Sequence, residues 1–93
     1  ARIEPQPSLV SQYYVHLEVE DRPGVLAAVA GVFGEHGVSI LSMEQDGESG
    51  DDGTSSLGFV TYRAAEADLA AVLEELRDLE PVRRVGRTLR LVS

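Results

Sequence analysis

The sequence predicts an α+β sandwich, with one four-stranded antiparallel sheet carrying two helices on one of its faces. Three observations support this expectation. Tyr13, Val15, Leu17 and Val19 alternate with Tyr14, His16, Glu18 and Glu20, which is the period of a strand with one buried face and one wet face. Two stretches, Val25 to Phe33 and Leu69 to Leu79, instead repeat their apolar residues at helical spacing. β-rich runs lie between and after them, so the elements follow one another as strand, helix, strand, strand, helix, strand.

The first strand is expected over Tyr13 to Glu20. From Pro23 the period changes, and Val25, Leu26, Val29, Val32 and Phe33 mark one face of a helix reaching to His36, where Gly37 acts as a C-terminal stop. Val38, Ile40, Leu41 and Met43 place a second strand over Val38 to Gln45. Gly47-Glu48-Ser49-Gly50-Asp51-Asp52-Gly53 reads as a solvated turn, and Leu57, Phe59, Val60 and Tyr62 place a third strand over Ser55 to Arg63 as the other arm of a hairpin. A second helix spans Glu66 to Glu80, with Leu69, Val72, Leu73, Leu76 and Leu79 inward and Pro81 ending it. Val82 to Val92 forms the last strand, with Val85, Leu89 and Leu91 on its inner face.

This order is the split βαβ, or ferredoxin-like, βαββαβ pattern. Right-handed crossovers put the third strand beside the first and leave the second at an edge. An edge as apolar as residues 38–45 needs cover, and the matching edge of a second copy would supply it, giving a homodimer with a continuous sheet.

Composition narrows the functional classes. Ninety-three residues with 43% apolar content make one core, near the size at which oligomerisation often adds stability. Eight basic against sixteen acidic residues leave a formal charge of −8, which argues against nucleic acid or an anionic membrane surface as a partner. Every basic side chain is Arg. The lack of Cys removes disulfides and thiolate chemistry, and no apolar run is long enough for a signal peptide or a membrane span, so a cytoplasmic location is expected. Residues 1–12, with Pro5 and Pro7 among polar neighbours, read as a linker from an upstream region, and residues 13–93 as the domain.

The turn from the first strand into the first helix is the richest in chemistry. In Asp21-Arg22-Pro23-Gly24-Val25-Leu26, Pro23 fits a first helical turn, Asp21 can cap it, and Gly24 keeps no side chain between a ligand and the N–H groups of Val25 and Leu26. A helix N-terminus carries about half a positive charge, so a carboxylate would dock there. An ammonium would then need acceptors, for which Asp21 and the backbone carbonyls near Ser39 and Ile40 are the candidates.

The same residues, followed by Val29, Phe33, Gly37-Val38 and Ser39-Ile40, resemble the ACT domain, a small regulatory module that binds amino acids in many metabolic enzymes. The match spans Tyr13 to Val92. More narrowly, Tyr13-Tyr14, Asp21 to Leu26, His36 to Ile40, Gln45 and Val82 to Leu91 are similar to the C-terminal ACT domain of bacterial homoserine dehydrogenase. Two positions depart from that pattern: Tyr62, where His is common, and Glu44, where a basic residue is common. The resemblance implies an effector such as threonine, bound at or near an interface between two ACT domains by Asp21, Pro23, Gly24, Val25, Leu26, Ser39, Ile40 and Gln45. It also implies feedback on an NAD(P)-dependent reduction of aspartate semialdehyde to homoserine. That chemistry and its NAD(P) would belong to a region outside this chain, which is expected to hold no cofactor itself.

Other constellations are weaker. Asp46, Glu48, Asp51 and Asp52 lack the ordered ligand ladder of a calcium loop and read as a solvated hairpin tip. His16 and His36 make no metal set, and His36 suits a helix C-terminus as a dipole partner. Arg83, Arg84, Arg87 and Arg90 read as a solvated face balancing Glu74, Glu75, Asp78 and Glu80. No acid and base pair converges on a pocket and no Gly-x-Gly-x-x-Gly fingerprint follows a strand, so no catalytic residue is assigned. Gln45 suits either a reader of the effector's polar group or a solvated strand residue. Three functions stay open: an amino-acid sensor of homoserine dehydrogenase, a dimerisation module that binds nothing, and an ACT domain of another amino-acid pathway enzyme.

Overall fold

A computed structural model describes residues 10–46 and 53–91. The elements are β1 (Val10–Glu20), α1 (Val25–Glu35), β2 (Ile40–Asp46), β3 (Thr54–Thr61), β4 (Ala64–Ala65), α2 (Glu66–Asp78) and β5 (Val82–Leu91). β1 lies between β3 and β5 and is antiparallel to both, while among the described residues β2 pairs only with β3 and so forms an edge. This is the ferredoxin-like sandwich, with one strand added to the expected four. The two-residue β4 pairs with Val10 and Ser11 of β1.

The alternation of β1 organises the core. Val15, Leu17 and Val19 are buried on the helix-bearing face, where they meet Val29, Val32 and Phe33 of α1 and Leu69, Val72 and Leu76 of α2. Burying side chains of this size contributes roughly 1.5–3 kcal/mol each, so this face dominates the stability of the domain. Phe33 stacks at a tilt against Phe59 of β3, ring centres 5.3 Å apart, and locks α1 to the sheet. Between the helices, His36 Nε2 lies 2.8 Å from Glu75 Oε1, so His36 ties the end of α1 to α2 rather than serving only its own helix terminus. In α2, Glu66 and Asp68 stand in the first turn and Arg77 in the last, each matched to the helix dipole.

Several boundaries differ from the sequence expectation, each for a physical reason. β1 starts at Val10, because Val10 and Ser11 find partners in Ala65 and Ala64; residues 10–12 are therefore strand, and the rest of the expected linker lies outside the described residues. α1 begins at Val25, not Pro23, and its N-cap position is held by Gly24, which has no side chain to make a capping bond. β2 begins at Ile40, since Val38 is buried with its N–H donated to the Phe33 carbonyl. α2 stops at Asp78, where Leu79 turns extended to let Val82 N–H reach its carbonyl ahead of β5. The acidic turn over Gly47 to Asp52 and the end of the last strand at Val92 lie outside the described residues.

Three bulges interrupt the ladders: one skips Arg83 in β5, between the Glu18–Arg84 and Val19–Val82 pairs, and two others bear on which face side chains occupy. In β2, Ile40 faces Thr61 and Ser42 faces Val60, so Leu41 is an extra residue that the ladder skips. In β5, Val85 faces Leu17 and Thr88 faces Val15, so Gly86 and Arg87 together oppose His16. The bulge at Gly86 and Arg87 reverses the parity of the strand. Val85 packs on the core as expected, but Leu89 faces Tyr14 and Leu91 faces Gln12 on the sheet's other side, where Leu89 is 44% exposed.

The ladder between β1 and β3 stops at Tyr14 and Val60, and Thr61 closes the gap. Its hydroxyl, fully buried, accepts the Tyr13 N–H at 3.1 Å, and its carbonyl accepts Gln12 Nε2 at 3.3 Å. A Thr61→Val substitution keeps the shape and orphans a buried N–H. It is expected to lower unfolding stability in urea by about 1–3 kcal/mol without changing the far-UV circular dichroism spectrum.

Candidate functional site

The helix-bearing face of the sheet is not covered right up to β2. Where α1 begins, the gap between the helix N-terminus and this edge strand is a cleft of about 120 Å³. Val19, Ser55 and Leu57 form its floor, Met43 and Gln45 its edge-strand wall, Val25 and Leu26 the helix end, and Glu20, Asp21 and Arg22 its rim. The strand pattern explains the grouping. Met43 faces Phe59 and Gln45 faces Leu57, so both side chains share the helix-bearing face with the core.

The turn that opens α1 works differently from the expected one. Gly24 adopts the left-handed region at φ 88°, a conformation that costs a side-chain-bearing residue roughly 1–2 kcal/mol. Pro23 precedes it in the turn. Val25 N–H makes a long bond of 3.4 Å to the Arg22 carbonyl, Ala28 N–H bonds to Gly24, and Leu26 N–H has no backbone acceptor among the described residues. Asp21 N–H is held by the Gly53 carbonyl at 2.8 Å, which pins the rim to the start of β3.

Charge is arranged on the same rim. Arg22 Nε lies 2.7 Å from Glu20 Oε1, Arg83 Nε lies 3.5 Å from the other oxygen, and Arg22 also reaches Glu80 at 3.6 Å. The hydrogen bond from Arg22, supported by the charges of Arg22 and Arg83, holds the Glu20 carboxyl below its ordinary value against partial desolvation. The same bond raises Arg22. Glu20 is therefore held as an anion more firmly than an unpaired carboxylate would be. Inside, Gln45 Nε2 donates to Ser55 Oγ at 3.3 Å, which orients its amide along the wall. The cleft thus offers an amide N–H without a backbone acceptor, an apolar floor, an oriented amide and a fixed carboxylate, which is the set a small zwitterion requires.

Of the residues singled out from sequence, Asp21, Val25, Leu26 and Gln45 line this cleft. Pro23 and Gly24 shape the turn beside it. Ser39 and Ile40 stand at the opposite end of β2, where the Ser39 carbonyl accepts Tyr62 N–H and Ile40 pairs with Thr61. Sequence reasoning passed over Glu20, Met43, Ser55 and Leu57 as site residues. Met43 was open to discovery, since it sits two residues before Gln45 on the same strand face. Ser55 and Leu57 required the pairing register.

The fold is thus a ferredoxin-like sandwich with a small, apolar-floored cleft at the N-terminus of its first helix. The ACT domain family model matches residues 13–81, and the chain belongs to that family. Among its relatives, a homoserine dehydrogenase of Synechocystis sp. is 35% identical over 92 residues, covering 99% of this chain and 21% of that protein. A homoserine dehydrogenase of Mycobacterium tuberculosis is 37% identical over 93 residues, covering 96% of this chain and 21% of that protein. The crystal structure of a homoserine dehydrogenase from Thiobacillus denitrificans superimposes with a TM-score of 0.82 at 24% identity, over 99% of this chain and 20% of that one. The chain thus spans about a fifth of the length of the relatives it matches. Among the described residues, no cluster of His, Asp or Glu is placed to hold a metal ion, and no helix is long and apolar enough to cross a membrane.

Two substitutions test this geometry. Gly24→Ala meets no steric obstacle and so isolates the backbone cost; thermal unfolding is expected to show a loss of about 1–2 kcal/mol. Arg22→Ala removes the main cause of the Glu20 shift. Carboxyl-detected NMR titration is expected to move Glu20 upward toward its ordinary value, and the part of stability that wild type loses as pH falls through the depressed Glu20 value is expected to vanish.

Proposed function

We propose that this domain is a cytoplasmic amino-acid sensor, working as the regulatory part of a homoserine dehydrogenase with threonine as its effector. The observation that carries this reading is the Leu26 N–H at the N-terminus of α1, which has no backbone acceptor among the described residues, beside a cleft with an apolar floor. The effector's carboxylate would take that amide, its ammonium would face Glu20 and Asp21, and Gln45 would read its side-chain hydroxyl. A cleft of about 120 Å³ suits a small amino acid and is too small for a dinucleotide. The NAD(P) chemistry accordingly belongs to the other four-fifths of such an enzyme.

Assembly through β2 supports the same reading. Leu41 and Met43 are 45% and 37% exposed along an edge with no partner strand among the described residues. Two copies related by a two-fold axis would pair these edges antiparallel, so the start of one strand would lie beside the end of the other. Ser39 and Ile40 of one copy would then approach Gln45 of the second, completing from two subunits the site that one chain leaves divided. A ligand bridging that seam binds the paired and unpaired states unequally, and only this inequality can make it a regulator.

The exposed edge is also what a bare dimerisation module would need, and one titration separates the two readings. Threonine at about 100 times its dissociation constant is expected to add roughly 2.7 kcal/mol of stability, read as a rise in melting temperature. A Gln45→Ala variant should lose most of the rise while staying folded. If neither threonine nor any other common amino acid moves the transition, the sensor reading is wrong and the module only assembles.

A further inference from the structure

The sheet face turned away from the helices carries a second concavity, independent of the cleft. It has a volume of about 430 Å³ and is lined by Tyr14 and His16 of β1 with Arg84 and Arg87 of β5. We propose that it is a phosphate-recognising site for a small phosphorylated molecule with a flat body. Four features of the chain build it.

The bulge at Gly86 and Arg87 in β5 is the first. By setting both Gly86 and Arg87 opposite His16, it brings Arg87 to the face that Arg84 already occupies; regular alternation would have aimed Arg87 at the helices. The second is room. A Cβ on Gly58 would stand 2.8 Å from Tyr14 Oη, and one on Gly86 would stand 2.6 Å from His16 Nδ1, so these two glycines let the rings lie against the neighbouring strands. The third is available donors. Arg84 is oriented by Glu18 Oε2 at 2.7 Å, whereas Arg87, the His16 ring and Tyr14 Oη have no hydrogen-bond or ion-pair partner among the described residues. The fourth is charge, because two guanidiniums facing one carboxylate form a local cationic spot on a chain of formal charge −8.

The donor set selects the ligand. A carboxylate has two oxygens and is satisfied by one bidentate guanidinium, whereas Arg87, the remaining N–H groups of Arg84, an imidazole N–H and a phenol together match the three terminal oxygens of a phosphate. The volume exceeds what the phosphate alone would fill and lies in the range of small-molecule sites. Tyr14 and the exposed Leu89 opposite it offer a surface for a flat remainder.

The test titrates the 93-residue chain, labelled with ¹⁵N, with AMP, inorganic phosphate and adenosine in separate arms. AMP is expected to give saturable shifts confined to Tyr14, His16, Gly58 and 84–89; phosphate is expected at the same residues but at least tenfold weaker, and adenosine is expected to give none. Equal affinity for AMP and phosphate would overturn the flat-body part of the proposal. Arg87→Gln, a change at an exposed position, should weaken AMP about tenfold, while Arg90→Gln, which removes the same charge outside the concavity, should not. Loss of binding in both variants alike, or no saturable shift with any probe, would overturn the site. None of these readouts involves Leu26 or Gln45, so the result is separable from that of the threonine titration.

Discussion

The partition of β1 into two faces is the constraint on which the rest of this domain depends. It pairs with β3 over Tyr14–Glu20 and with β5 over Gln12–Val19, and its odd-numbered side chains from Tyr13 to Val19 are buried under both helices. A shift of one residue in its register would send Val15, Leu17 and Val19 into solvent, so the register is strongly fixed. Everything of functional interest is placed relative to that division. The cleft beside α1 lies where the covered face runs out toward β2, and the concavity lined by Arg84 and Arg87 lies on the sheet's other face.

The two sites also differ in how their chemistry is held. In the cleft, backbone geometry dominates: a left-handed Gly24 stands at the start of α1, and the amide of Leu26 has no backbone acceptor among the described residues. Around it, Glu20 and Arg22 settle each other's charge state, so the rim presents a stable pattern of sign. In the concavity, side chains dominate, and the backbone contributes by omission, through a bulge and two positions with no Cβ. A site of the first kind tolerates surface substitution better than one of the second.

Much of this was legible in the sequence. The alternation over residues 13–20 and the helical spacing of Val25, Val29, Val32 and Phe33 and of Leu69, Val72 and Leu76 signalled the elements and the core directly, because burial selects side chains at the period of the backbone. The turn at Asp21 to Leu26 was legible as the start of α1, but the placing of Gly24 at its N-cap was not. A Gly in the left-handed region and an Asp with a capping side chain are both good helix starts, and composition does not choose between them. The bulges at Leu41 and at Gly86-Arg87 left no trace in the pattern, since an extra residue in one strand is defined only against its partner. That hidden step misplaced Leu89 and Leu91 and hid the meeting of Arg84 with Arg87. Ser39 and Ile40 were grouped with the corner through resemblance, although within one chain they occupy the far end of β2.

The pairing of Gln12 with Leu91 bears on how the module behaves inside a longer polypeptide. The start of β1 and the end of β5 stand at the same end of the sheet as adjacent antiparallel neighbours. Such a unit can be spliced into a host loop without prising that loop open. Tension drawn across those two strand ends would load the β1–β5 hydrogen bonds one rung at a time, peeling the last strand away like a zip while the contacts under α1 stay shut.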